Sequence, residues 1–63
     1  MTELLYSIAN LTYNVDLHGM WNEDNTVTNG ILTFTHVDGE ITKEEISGSI
    51  LEIDAYVANK INL

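Results

Sequence analysis

In Thr2-Glu3-Leu4-Leu5-Tyr6-Ser7-Ile8-Ala9-Asn10-Leu11, the apolar residues Leu4, Leu5, Ile8 and Leu11 recur at three- and four-residue steps. That period places them on one helical stripe and predicts a helix over residues 2–11. Thr2 suits the cap, and Glu3 suits the positive end of the helix dipole. Directly after it the period changes to two. Tyr13, Val15, Leu17, Gly19 and Trp21 alternate with Asn14, Asp16 and His18, which predicts a half-buried strand with its odd residues inward. The polar run Asn22-Glu23-Asp24-Asn25 reads as a turn.

A second strand follows. Ile31, Leu32, Thr33, Phe34, Thr35 and Val37 suit a sheet, and apolar groups on both faces suggest a central position. Asn29-Gly30 ahead of it is either a tight turn or a bulge. Asp38-Gly39 predicts a type I′ hairpin turn. Glu40 to Ile46 is then the return strand, with charges that suit a sheet edge. Ser49-Ile50-Leu51-Glu52 matches a capping box, and Ile50, Ile53, Val57 and Ile61 continue as one helical face with Lys60 near its negative end. Thr42 with Glu45 also matches the box, but a start there puts Gly48 inside the helix at a cost of about 1 kcal/mol. Ser49 is the preferred start. The expected architecture is α+β: helix, three-stranded antiparallel sheet, helix (αβββα), with both helices on one sheet face, in a single domain of 63 residues.

Charge is the strongest functional signal. Ten carboxylates face two lysines and no arginine, a formal net charge of −8, yet 44% of the chain is hydrophobic. A compact anionic protein is repelled by nucleic acid and by anionic membranes, and is drawn to basic surfaces. The carboxylates are barely neutralised, and their self-repulsion costs stability that a basic partner would relieve. There is no cysteine, hence no disulfide and no thiolate chemistry. No N-terminal signal pattern appears, because Glu3 replaces a basic start, and no apolar run has the length of a membrane span; the expected compartment is cytoplasmic.

Catalytic and metal signals are weak. Ser7, Ser47 and Ser49 lack a nucleophile-elbow context, and paired carboxylates need a cleft that so small a domain hardly affords. No enzymatic activity and no cofactor are expected. Asp16, His18, His36 and Asp38 would share a face if their strands paired, but zinc signatures have tighter recurring spacing. Counting from Asp24, position twelve of a calcium loop is Thr35, not a glutamate. The sequon Asn10-Leu11-Thr12 falls at the predicted helix end and reads as chance. Tyr13 reads as core. Trp21, beside a turn, reads as core or as an interface anchor.

Three stretches carry a family resemblance: Leu4-Leu5-Tyr6-Ser7-Ile8 leading into Tyr13-Asn14-Val15-Asp16-Leu17-His18-Gly19, the hairpin Val37-Asp38-Gly39-Glu40, and Ser49-Ile50-Leu51-Glu52-Ile53. In this order they resemble the small acidic phage anti-CRISPR proteins that occupy the PAM-reading site of type II-A CRISPR effector nucleases. The resemblance implies competition with DNA for arginines in a positively charged channel. It assigns a share of that mimicry to Asp38, Gly39 and Glu40. The family's further helix with its acidic loop has no counterpart in these residues, and Thr12 stands where the family has an acid before the first strand.

The expected function is therefore a non-enzymatic, DNA-mimicking inhibitor. It would bind the basic nucleic-acid site of a CRISPR effector nuclease or another DNA-processing enzyme. Asp38, Gly39 and Glu40 would lie at the centre of the contact, Glu44, Glu45, Glu23 and Asp24 around them, and Trp21 would serve as an apolar anchor. The alternative is a structural or oligomerising module, such as a homodimer paired through sheet edges, with the acids as a solubilising coat.

Overall fold

The computed structural model describes residues 2–61. Four strands, β1 (Thr2–Ala9), β2 (Tyr13–Trp21), β3 (Thr26–His36) and β4 (Ile41–Ser49), form one antiparallel sheet in the order β1-β2-β3-β4, and a single helix, α1 (Ile50–Ile61), follows β4 without a loop. This corrects the expected αβββα arrangement. Among the described residues the N-terminal segment is a strand, the sheet has four strands, and one helix covers it.

The reason lies in which residues are buried. Leu4, Tyr6 and Ile8 alternate along β1 and pack against the core, while Leu5 is 66% and Leu11 97% exposed. Half of the supposed helical stripe therefore faces solvent. The period of two extends through β1, which pairs with β2 without a register shift from Thr2↔Trp21 to Ala9↔Asn14. Tertiary pairing overrides a local pattern that Leu5 happens to imitate.

Cross-strand partners share a face, so the registers sort the sheet into two sides. The inner side carries the rows Tyr6–Leu17–Leu32–Glu44 and Ile8–Val15–Phe34–Thr42. The outer side carries Leu5–His18–Ile31–Glu45, Ser7–Asp16–Thr33–Lys43 and Ala9–Asn14–Thr35–Ile41. On the inner side, Ile53, Val57 and Ile61 of α1 close over Val15, Leu17, Val27, Leu32 and Phe34, making one buried cluster. Asn29-Gly30 forms a bulge rather than a turn: the pairing of β3 shifts there against both neighbours, and Asn29 takes φ 55°.

Ser49 caps α1 at the expected start, but its Oγ accepts from the Leu51 amide, at 3.3 Å, rather than pairing with Glu52 as a capping box would. The helix is tied down at both ends and along both flanks. At its start the Ile50 amide donates to the Asn25 carbonyl at 3.0 Å. At its end Asn10 Nδ2 donates to the Ile61 carbonyl at 3.2 Å. The same Asn10 accepts at Oδ1 from the amides of Thr12 and Tyr13 at 2.8 and 2.7 Å, so one side chain builds the β1–β2 turn and caps the helix. On one flank Tyr6 OH donates to Asp54 at 2.7 Å; on the other, Tyr56 OH donates to Glu44 of β4. The described helix is not long and apolar enough to cross a membrane.

Candidate functional site

The two acid-bearing hairpin turns have the same construction. In the β3–β4 turn, the His36 amide donates to the Glu40 carbonyl and the Gly39 amide to the His36 carbonyl, both at 2.8 Å. In the β2–β3 turn, the Asn22 amide donates to the Thr26 carbonyl at 2.8 Å and the Asn25 amide to the Asn22 carbonyl at 3.0 Å. Each loop ends on a left-handed residue, Gly39 at φ 98° and Asn25 at φ 68°. This is a type I turn followed by one left-handed residue. It replaces the type I′ turn expected at Asp38-Gly39, which would need a positive φ at Asp38 as well; only Gly39 has one.

The middle aspartate braces each loop. Asp38 Oδ1 accepts from the Glu40 amide at 2.9 Å and lies 2.9 Å from His36 Nδ1. Asp24 Oδ1 accepts from Thr26 Oγ1 at 2.6 Å and from its amide at 3.2 Å. The Glu40 amide first, and His36 second, hold the Asp38 carboxyl below the ordinary carboxylate range, so it is ionised at neutral pH.

The eight residues singled out from the sequence do not form one patch. Asp38, Gly39 and Glu40 stand together, exposed, at one end of β3. Glu23, Asp24 and Trp21 stand at the other, in a molecule 36 Å long. Trp21 is 44% exposed, not core, and its Nε1 donates to Asn25 Oδ1 at 3.0 Å, so the indole lies against its own turn. Glu44 and Glu45 are neighbours on β4 and therefore point to opposite sheet faces. Glu45 is exposed on the outer side. Glu44 faces the helix, where Lys60 Nζ approaches to 2.6 Å and Tyr56 donates to it. Lys60 first and Tyr56 second lower the Glu44 pKa, and Glu44 first raises that of Lys60. Glu44 is a structural carboxylate.

The end that holds Asp38 and Glu40 also holds the β1–β2 turn, joined to it by the Val37 amide donating to the Thr12 carbonyl at 2.8 Å. Leu11 and Val37, 97% and 75% exposed, project from the two turns. A groove of about 250 Å³ runs between them, with Tyr13 and His36 in its wall, ring centroids 5.0 Å apart and edge to face. An apolar pair beside two exposed carboxylates makes this end of the molecule amphipathic. Asp38 and Glu40 were foreseen as turn residues through the Asp-Gly pair. Leu11 was not foreseen at this end, because the helical reading put it on the apolar stripe of a helix.

The histidine cluster does not assemble. His18 is on the outer side, and its contact is Glu3, 3.5 Å away; His36 is paired to Tyr13 on the inner side. Among the described residues no three His, Cys, Asp or Glu side chains gather as metal ligands. Ser7, on the exposed outer side, donates to the carboxylate of Asp16. Lys60 also sits over the Phe34 ring, 5.4 Å from its centroid, and is thereby committed to the fold. Among the described residues neither lysine pairs with Asp38 or Glu40. Comparison with protein-family models, with curated proteins and with solved structures gives no match.

Proposed function

We propose that this chain is a non-enzymatic acidic binding protein that docks, by its Asp38-Gly39-Glu40 end, on a basic nucleic-acid-binding site of a partner protein and competes there with nucleic acid. The observation that carries the reading is the state of Asp38: an exposed carboxylate, kept ionised and fixed in place by the backbone of its own turn, with Glu40 beside it and no lysine paired to either. A preset carboxylate meets a guanidinium through charge-assisted bonds with little ordering cost, and arginine binds carboxylate and phosphate with the same planar fork. Leu11 and Val37 supply the apolar contact that would hold the complex once charge has steered it together. The resemblance to anti-CRISPR proteins makes a type II-A CRISPR effector nuclease the first partner class to test; other DNA-processing enzymes share the same chemistry.

The narrower site leaves out Glu44, which serves the helix, and the distant Glu23, Asp24 and Trp21. The test is the double substitution Asp38→Asn and Glu40→Gln. Asparagine keeps an Oδ1 acceptor for the Glu40 amide, so the turn survives while two charges go. Binding to an effector nuclease in solution, measured by calorimetry, should weaken by about a hundredfold, as expected for loss of two charge-assisted contacts. Glu23→Gln with Asp24→Asn should change it less than about threefold. Equal affinity for wild type and the first double variant would remove the site.

A further inference from the structure

The sheet has two edges, and they are built differently. β4 is guarded: it carries Lys43, Glu44 and Glu45 in succession, and its pairing with β3 is interrupted between Val27 and Gly30. Such charges and bulges are the usual devices that stop one sheet from adding to another. β1 is nearly free of them. It runs from Thr2 to Ala9 without glycine, proline, bulge or register shift, and its sole charge, Glu3, lies next to its start. Leu5, at its centre, is 66% exposed. Among the described residues no strand pairs with its free side.

We propose that β1 is a pairing edge and that its occupant is β1 of a second copy of this chain, joined antiparallel about a two-fold axis normal to the sheet. Two properties select a second copy. The first is self-complementarity. In an antiparallel pair centred on Leu5, each Leu5 faces its mate, Leu4 faces Tyr6, Thr2 faces Ile8 and Glu3 faces Ser7. Leu4, Tyr6 and Ile8 stay on the helix-covered side, so the apolar layer continues across the junction. Leu5 is covered on the outer side, and no like charges stand opposite each other. The second property is charge. Copies of a chain at −8 repel, and they meet most cheaply where the negative charge is thinnest; β1 holds one of the ten carboxylates. The two-fold places both helices on the same face and points the two Asp38 ends in opposite directions. This pairing is independent of the partner-binding reading.

One strand pair buries less than the roughly 800 Å² per partner of a standard interface, so the dimer is reversible and depends on concentration. Sedimentation equilibrium of the full chain from micromolar to millimolar concentration is the test. Wild type should show a monomer–dimer equilibrium. Leu5→Lys, which sets two ammonium groups against each other at the axis, should weaken it by roughly tenfold or more. Ile41→Lys, the matched change on β4, should leave it unaltered. Both residues are exposed, so both variants should keep the wild-type circular dichroism. Hydrogen exchange gives an independent readout, because alternate β1 amides should gain protection as concentration rises. A protein that stays monomeric at millimolar concentration, a dimer indifferent to Leu5→Lys, or one equally sensitive to Ile41→Lys would each overturn the proposal.

Discussion

Tyr6 and Asp54 show how one hydrogen bond ties stability to pH. The Tyr6 hydroxyl is held in its neutral form well above its ordinary range, by burial first and then by the bond to Asp54 and its charge. A group whose pKa is raised on folding stabilises fully below its unfolded value, about 10 for tyrosine, and that contribution is lost as pH rises beyond it. Lys60, raised by Glu44 and Tyr56, has the same sign. Asp38 and Glu44, both lowered, contribute above the ordinary carboxylate range and lose their effect as pH falls through it. The expected result is an alkaline transition in which the last phenolate absorbance step coincides with loss of circular dichroism. Tyr6→Phe should remove that last step and lower stability at neutral pH by about 1 kcal/mol, the usual worth of one such bond. A phenolate titration unchanged in the variant would show that Tyr6 is not the held group.

At the scale of elements, β3 approaches the backbones of β2 and β4 closely at Gly30. A Cβ on Gly30 would lie 2.6 Å from the Ile46 carbonyl oxygen, and one on Gly19 would lie 2.9 Å from both the Gly30 Cα and Val27 Cγ1. Backbone cannot step aside as a side-chain tip can. Gly30→Ala should therefore cost about 2–3 kcal/mol by urea unfolding, in the range of core overpacking. A loss below about 0.5 kcal/mol would mean that the bulge relaxes. This contact also shows what the sequence could reveal. Alternation marked β2, its inward odd residues and its end at Trp21, because Asn14, Asp16 and His18 are polar. The capping box marked the start of α1 at Ile50, because Ser49 binds the Leu51 amide. β1 was hidden because Leu5 is apolar yet faces outward, turning a period of two into an apparent helical stripe. The exposed turn that carries Asp38 and Glu40, the centre of the proposed site, was legible through its Asp-Gly pair. The engagement of Glu44 was not, because Tyr56 and Lys60 reach it only once the helix has folded back over the sheet.

Over the whole molecule, the excess of carboxylates should act with opposite signs on folding and on the proposed binding to a basic partner. A chain at −8 and 36 Å long repels itself, and ions at physiological strength screen charges farther apart than about 8 Å. Raising salt from the low millimolar range to that level should raise stability by about 1 kcal/mol, which for a domain of this size corresponds to an increase of roughly 4–8 °C in Tm. The same screening should weaken the complex with a basic partner. Asp38→Asn with Glu40→Gln removes two of the repelling charges: it should flatten the salt dependence of Tm and lower affinity for the proposed partner. Thermal unfolding across a salt series reads the first, and calorimetry in the same buffers reads the second. If the same unpaired carboxylates both repel one another and draw in the proposed basic partner, the two slopes must oppose each other. A wild-type Tm that does not move with salt would break that link, and the acids would then be a surface coat without energetic consequence for the fold.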